Sequence, residues 1–233
     1  MCAKIYCIVV AAGSGKRFGS PLPKQFCQLG GRPVLMTAID RLRRFLPESE
    51  ILLVLNRDYF GDWARMCGEH GFLSPEVIAG GDTRWQSVKN ALCAIGECSE
   101  EDIVMVHDGA RPLVMQSTLE ELVGAIRCGS HGAIPVVDVT DSLRMLDGGC
   151  RSHAVDRACY RAVQTPQAFR LSLLRSAYEL PYTTDMTDDA SVMDAAGYSN
   201  PVLVAGHEAT LKITRPQDLD WVELIMSSID GQA

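Results

Sequence analysis

The chain has 233 residues, 47% of them hydrophobic, which suits one domain with a substantial core. Its net charge of -7 excludes a broad electrostatic attraction to nucleic acid or to an anionic membrane, so an anionic ligand has to be met by a local basic pocket. Nine scattered cysteines, with no C-x-x-C pair and no zinc-type Cys/His spacing, fit a reducing cytoplasm, and no stretch has the ~20 apolar residues of a membrane span.

Ile5 to Ala11 is an apolar, β-branched run long enough for one buried strand, and it stops at Ala12-Gly13-Ser14-Gly15-Lys16-Arg17. Gly13 and Gly15 lack a Cβ, so successive N–H groups there can turn inward as a nest for phosphate oxygens, with Lys16, Arg17 and Lys24 adding positive charge. The bland alternative is a strand-to-loop turn whose basic residues are solvated. A dinucleotide fingerprint from Gly13 would need a third glycine where Phe18 stands, and a P-loop ending at Gly15-Lys16 would need a glycine at Val10 and a hydroxyl at Arg17. Neither motif is satisfied.

Val34, Leu35, Ala38, Ile39, Leu42, Phe45 and Leu46 then recur at helical spacing up to Pro47. Glu50 to Leu55 is a second buried strand, a helix covers about Asp58 to Cys67 with Gly71 as its stop, and Glu76 to Ala79 is a brief third strand. After the Gly80-Gly81-Asp82 break, Thr83-x-x-Gln86 is a capping box for a helix through Ile95. Ile103 to Val106 is another apolar strand, followed at once by His107-Asp108-Gly109-Ala110-Arg111-Pro112. Ser117-x-x-Glu120 caps a helix from Leu119 to Arg127, and Gly132 to Val137 is a further core strand. Continuous apolar strands alternating with amphipathic helices predict an α/β, Rossmann-like, mostly parallel sheet with helices on both faces and ligands beyond the strand carboxyl ends.

From residue 138 to 164 the helical period fades around Asp147-Gly148-Gly149, which reads as a hairpin projecting from a single 1–233 domain. Leu171 to Leu180 is helical, Thr187-Asp188-Asp189-Ala190-Ser191 opens a short helix, Leu211-Lys212-Ile213-Thr214 reads as a strand, and Thr214-x-x-Gln217 starts the final helix.

Asp108, at a strand end, is a candidate Mg²⁺ ligand or else a turn cap, and Arg111 is its candidate structural partner. An ammonium at Lys212 between Leu211 and Ile213 needs a counter-charge, from bound phosphate or from Asp188 or Asp189. None of the histidines has ligand spacing, and no Ser/His/Asp or Cys/His nucleophile emerges, which favours direct substitution over a covalent enzyme intermediate.

Ala11-Ala12-Gly13-Ser14-Gly15-Lys16-Arg17, Pro23-Lys24-Gln25-Phe26, Gly80-Gly81-Asp82-x-Arg84, Val106-His107-Asp108-Gly109-Ala110-Arg111-Pro112, Val155-Asp156-Arg157, Gln164-Thr165-Pro166-Gln167, Thr187 to Ser191 and Lys212 to Pro216 together closely resemble the 2-C-methyl-D-erythritol 4-phosphate cytidylyltransferases. The resemblance implies a homodimer with an extended arm reaching the neighbouring subunit. It also implies Mg²⁺-dependent transfer of CMP from CTP to a polyol phosphate in non-mevalonate isoprenoid synthesis, with loss of pyrophosphate. Arg17, Lys24 and Lys212 would then serve the phosphates and Asp108 the metal. Ala11, Ala12, Gly13, Gly15, Gly81, Asp82 and Ser87 would hold the nucleotide. Ser142, Arg157 and Thr165 would contact the acceptor, the last two across the dimer. Gly109 stands where such enzymes often have alanine, and Pro21-Leu22-Pro23-Lys24 is similar to the related ribitol 5-phosphate cytidylyltransferases. A nucleotide-binding regulator would bind CTP without releasing pyrophosphate.

Overall fold

The computed structural model describes residues 3–13, 18 and 22–230. The first strand, β1 (Ile5–Ala11), is central, and its apolar run forms because both faces are covered. A 3₁₀ turn at Lys24–Phe26 and a two-residue ribbon, β2 (Gln28–Leu29) and β3 (Arg32–Pro33), lead into α1 (Val34–Phe45). There follow β4 (Glu50–Leu55), α2 (Phe60–His70), β5 (Glu76–Ala79), α3 (Arg84–Ala94), β6 (Ile103–Asp108), α4 (Gln116–Arg127) and β7 (Gly132–Asp138). Gly71 ends α2 in the left-handed region at φ 58°, which a Cβ would strain. The small strands β8 (Arg144–Leu146) and β9 (Ser152–Ala154) form a separate antiparallel hairpin. The chain closes with β10 (Arg161–Val163), β11 (Gln167–Arg170), α5 (Leu171–Ala177), α6 (Asp189–Ala195), β12 (Val202–Ala205) and α7 (Asp218–Asp230).

The main sheet runs β10-β7-β11-β6-β1-β4-β5, with β12 also paired to β7. Pairs β1/β4, β1/β6, β4/β5 and β7/β12 are parallel, whereas β11 is antiparallel to β6 and β7, and β10 to β7. Alternation along the strands divides the core. Cys7, Val9, Leu53, Leu55 and Met105 meet α1, α2 and α4 on one face, and Tyr6, Ile8, Val54, Val104 and Phe169 meet α3, α5 and α6 on the other. A third cluster, including Leu29, Val34, Leu113, Ile213 and Val222, seats α7.

Three local expectations are corrected. Residues 211–214 have no regular secondary structure and pair with no strand, because Ile213 is buried against the α7 cluster while its neighbours stay outside it. Helix α4 begins at Gln116 after Met115, without a side-chain cap from Ser117. The start of α7 is organised by Asp218, whose carboxylate accepts from Thr214 N (2.7 Å), Thr214 Oγ1 (2.9 Å) and Arg215 N (2.8 Å), rather than by Gln217. Within the 138–164 stretch, β8 and β9 form a hairpin turned by Gly148 and Gly149 at φ 94° and 58°, and residues 161–163 return to the main sheet as β10.

Candidate functional site

Because β1, β4, β5 and β6 are mutually parallel, their carboxyl ends open on one side of the sheet, where a cleft of about 530 Å³ lies among Ala11, Ala12, Gly13, Lys24, Gly81, Asp82, Arg84, Ser87, Asp108 and Lys212. A groove of about 570 Å³ at the opposite ends of β1 and β4 sets Lys4 among Glu50, Glu76 and Glu97. That charge pattern is a poor host for phosphate.

The nucleotide side of the cleft is shaped by close backbone approach. Gln25, buried in the 3₁₀ turn, donates through Nε2 to the carbonyls of Ala11 (2.7 Å) and Gly13 (3.1 Å), fixing the exit of β1. A Cβ on Gly80 would lie 2.4 Å from the Ala12 Cβ, and one on Gly81 would lie 2.1 Å from Gln86 Cγ, so neither position has room for a side chain. Thr83 caps α3 by accepting from Gln86 N (3.0 Å), while Ser87 Oγ accepts from Gly81 N (3.1 Å) and donates to the Thr83 carbonyl (2.9 Å). Ser87 thus holds the 80–83 loop from beneath. A Cβ on Gly109 would lie 2.9 Å from Leu35 Cδ1 and 3.0 Å from Ala11 Cβ, so glycine lets α1 and β1 close on this strand end.

Asp108 gathers the charge. Its Oδ2 is 2.7 Å from Lys212 Nζ and 3.8 Å from Arg111 Nε, and its Oδ1 is 3.6 Å from Arg84 Nε. Burial pushes the Asp108 carboxyl up, but Arg84, Lys212 and Arg111 outweigh it and hold the group well below the usual carboxylate range. Lys24 Nζ donates to the Ile213 carbonyl (2.6 Å), which brings it beside Lys212. Behind the carboxylate, burial pulls His107 down to about 4, so the ring is neutral. Its Nε2–H donates to the Arg111 carbonyl (2.9 Å), which leaves Nδ1 to accept from Thr165 Oγ1 (3.2 Å), and that hydroxyl in turn accepts from Asp108 N (3.0 Å). Arg84 also donates to Asp189 Oδ2 (2.6 Å), and Tyr178 Oη donates to Asp189 Oδ1 (2.6 Å).

The IspD family of 2-C-methyl-D-erythritol 4-phosphate cytidylyltransferases matches residues 5–228. The chain belongs to this family. Among the family's members, the 2-C-methyl-D-erythritol 4-phosphate cytidylyltransferase of Bacteroides fragilis is 44% identical over 217 residues, covering 91% of this chain and 94% of its own. The crystal structure of 4-diphosphocytidyl-2C-methyl-D-erythritol synthase from Anaerococcus prevotii superposes with a TM-score of 0.79 at 25% identity, over 97% of this chain and 99% of that one. The 2-C-methyl-D-erythritol 4-phosphate cytidylyltransferase of Thermus thermophilus gives 0.71 at 31% identity, over 97% and 98%.

Of the residues that the family resemblance singled out, Ala11, Ala12, Gly13, Lys24, Gly81, Asp82, Ser87, Asp108 and Lys212 come together in the cleft of this cytidylyltransferase. Gly15 and Arg17 lie outside the described residues. Ser142 and Arg157 are exposed on either side of the β8/β9 hairpin, where Arg157 bonds the Thr140 carbonyl, and neither lines the cleft of its own chain. Thr165 is buried beside Asp108 of the same chain, where its hydroxyl accepts from Asp108 N and donates to His107 Nδ1. The counter-charge of Lys212 is Asp108, not Asp188 or Asp189, because Asp188 caps α6 through Ser191 N (2.9 Å) and Asp189 pairs with Arg84. Gln25 and Arg84 stand inside the quoted motifs, where residue type alone signals no role, and His107 is signalled only by standing on a strand beside a candidate ligand.

Proposed function

We propose that the protein transfers CMP from CTP to 2-C-methyl-D-erythritol 4-phosphate, releasing pyrophosphate. The observation that carries this reading is the meeting of Arg84, Arg111 and Lys212 around Asp108, with Lys24 lining the same glycine-walled cleft, in a chain of this family. Cytidine occupies the pocket between Ala11–Gly13 and Gly81–Ser87, where exposed backbone groups and Asp82 read the base. The triphosphate lies toward Arg17 and Lys24, and the acceptor is met by Lys212 and by Ser142 and Arg157 from a neighbouring subunit. Residues 1–233 act as one domain, and the segment 138–164 serves as the dimerisation arm of a cytoplasmic homodimer. No helix among the described residues is long and apolar enough to cross a membrane.

Mg²⁺ fits the donor set. Asp108 supplies an ionised carboxylate at the cleft, and this ion is commonly held by one or two carboxylates together with substrate phosphates. Among the described residues no group of three His, Cys, Asp or Glu side chains could hold it alone, so Asp108 would share it with the nucleotide. When bound, the ion neutralises phosphate charge. An acceptor phosphate oxygen forms a bond to the α-phosphorus as the bond from that phosphorus to the β-bridging oxygen breaks, and pyrophosphate leaves with the electron pair. The monoester has a second pKa of about 6 and is largely dianionic at neutral pH, so no general base is needed. His107 could not act as one, being buried with both ring nitrogens bonded. The chain's own work is positioning and charge neutralisation.

Pyrophosphate release from CTP, measured in parallel with methylerythritol phosphate and ribitol 5-phosphate, tests the reading. Turnover with methylerythritol phosphate is expected. Turnover with ribitol phosphate alone, or CTP binding without pyrophosphate, refutes it.

A further inference from the structure

Asp189 is fully shielded from solvent in the first turn of α6, and its two oxygens are taken by Tyr178 Oη and Arg84 Nη2, each at 2.6 Å. A buried ion pair contributes little net stability, since desolvating both charges offsets their attraction, and apolar residues of like volume often serve as well. What such a pair can supply is orientation. Both sides of the contact are locked from outside. Gln167 on β11 donates to Asp188 Oδ2 (2.7 Å) and accepts from Ala190 N (3.0 Å), fastening the start of α6 to the sheet. Tyr178 stacks on Trp85 at 5.6 Å between centroids and 25° between planes, and Trp85 is the residue after Arg84 on α3.

What this frame aims is the Arg84 guanidinium. It borders the cleft with its side chain 27% exposed, and its Nε faces Asp108 Oδ1, the oxygen opposite the one that Lys212 holds. Burial draws Arg84 toward losing its proton, and Asp189 and Asp108 more than offset this, so the group stays charged. Positive charge thus flanks Asp108 on both sides. A guanidinium held in a fixed plane offers paired N–H donors to phosphate oxygens, which a lysine cannot reproduce.

Resting on the cytidylyltransferase reading above, we propose that Arg84 is a further catalytic residue, contacting the phosphates as charge develops during transfer, and that Asp189 and Tyr178 are positioning residues acting through it. The test compares kcat, both KM values and the CTP dissociation constant for wild type, Arg84→Met, Asp189→Asn and the double variant. Arg84→Met is expected to lower kcat about 100-fold, the scale of losing one donor to transition-state charge, while CTP affinity changes by less than about threefold. Asp189→Asn should lower kcat about 10-fold alone but less than about twofold in the Arg84→Met background, because a residue that acts through another has nothing left to act on. A merely structural Asp189 would lower kcat equally in both backgrounds, and that result overturns its role. Arg84→Met turning over within about threefold of wild type overturns the whole inference. If Asp189→Asn does not fold, Tyr178→Phe, which keeps the Trp85 stack, carries the same comparison with about a threefold loss expected. A wild type without turnover sinks the functional reading itself, whereas an active wild type with an unaffected Arg84→Met sinks only the inference.

Discussion

Gln25→Met is the most direct test of how the nucleotide side is held. The side chain is 3% exposed and donates to two carbonyls, those of Ala11 and Gly13, and methionine keeps its length while supplying no donor. An intramolecular hydrogen bond contributes about 1 kcal/mol net, and a buried acceptor left unpaired costs about 1–3 kcal/mol, so the variant should lose about 2–4 kcal/mol. In a chain of this size that lowers Tm by about 5–15 °C. Those two carbonyls sit where β1 opens on the cleft, so the KM for CTP should rise about 10-fold, with a smaller change in the acceptor KM. Calorimetry and pyrophosphate-release kinetics give the two numbers. Gln25→Glu is the control for mechanism. A carboxylate buried against two carbonyl oxygens has a raised pKa, so the folded variant binds a proton that the unfolded chain, with its pKa near ~4.3, releases. That variant must gain stability relative to Gln25→Met as pH falls from neutral, and lose it as pH rises through the raised value. A Gln25→Met protein that melts within about 2 °C of wild type with an unchanged CTP KM would refute the argument, since two lost donors cannot cost so little.

Two further outcomes follow from the site. His107 is held neutral down to about 4, whereas an unfolded histidine gains its proton near ~6.5. Unfolding therefore takes up a proton between those values, and His107 should remove about 2 kcal/mol of stability between pH 6.5 and 5. Urea unfolding of wild type and His107→Gln at several pH values reads this, and equal slopes for both would remove His107 as the cause. Arg157→Ala and Lys24→Ala proteins, each nearly inactive, should regain activity when mixed and allowed to exchange subunits. Half of the dimers are then mixed, with one site intact in each, so recovery approaches about a quarter of wild type. Flat activity after verified exchange would show that Arg157 serves its own chain or no site.

How far the molecule can be read from its sequence depends on whether a feature is local. β1, β4 and β5 stand at the bounds expected of them because each is an apolar run between breakers; β1 and β4 are buried within the sheet, while β5, at its edge, keeps its residues partly exposed. β11 is only Gln-Ala-Phe-Arg, and it is a strand because β6 and β7 flank it; β12, paired to β7 alone, keeps three of its four residues exposed and carries no buried pattern. Lys212 misleads for the converse reason: its apolar neighbour Ile213 is buried by α7, a helix that follows it, and not by a paired strand. The site divides in the same way. The glycine turn, the capped α3 and the strand-end Asp108 are each visible where they stand. Arg111, three residues beyond Asp108, is a local partner, but that Lys212 faces Asp108 and Asp189 turns to Arg84 is decided by the order β5-β4-β1-β6-β11, which carries residues more than a hundred positions apart to one end of the sheet. A hydrophobic period records which face a side chain takes. It holds no record of which strand lies alongside, and the charge pairs of this cleft depend on that neighbour.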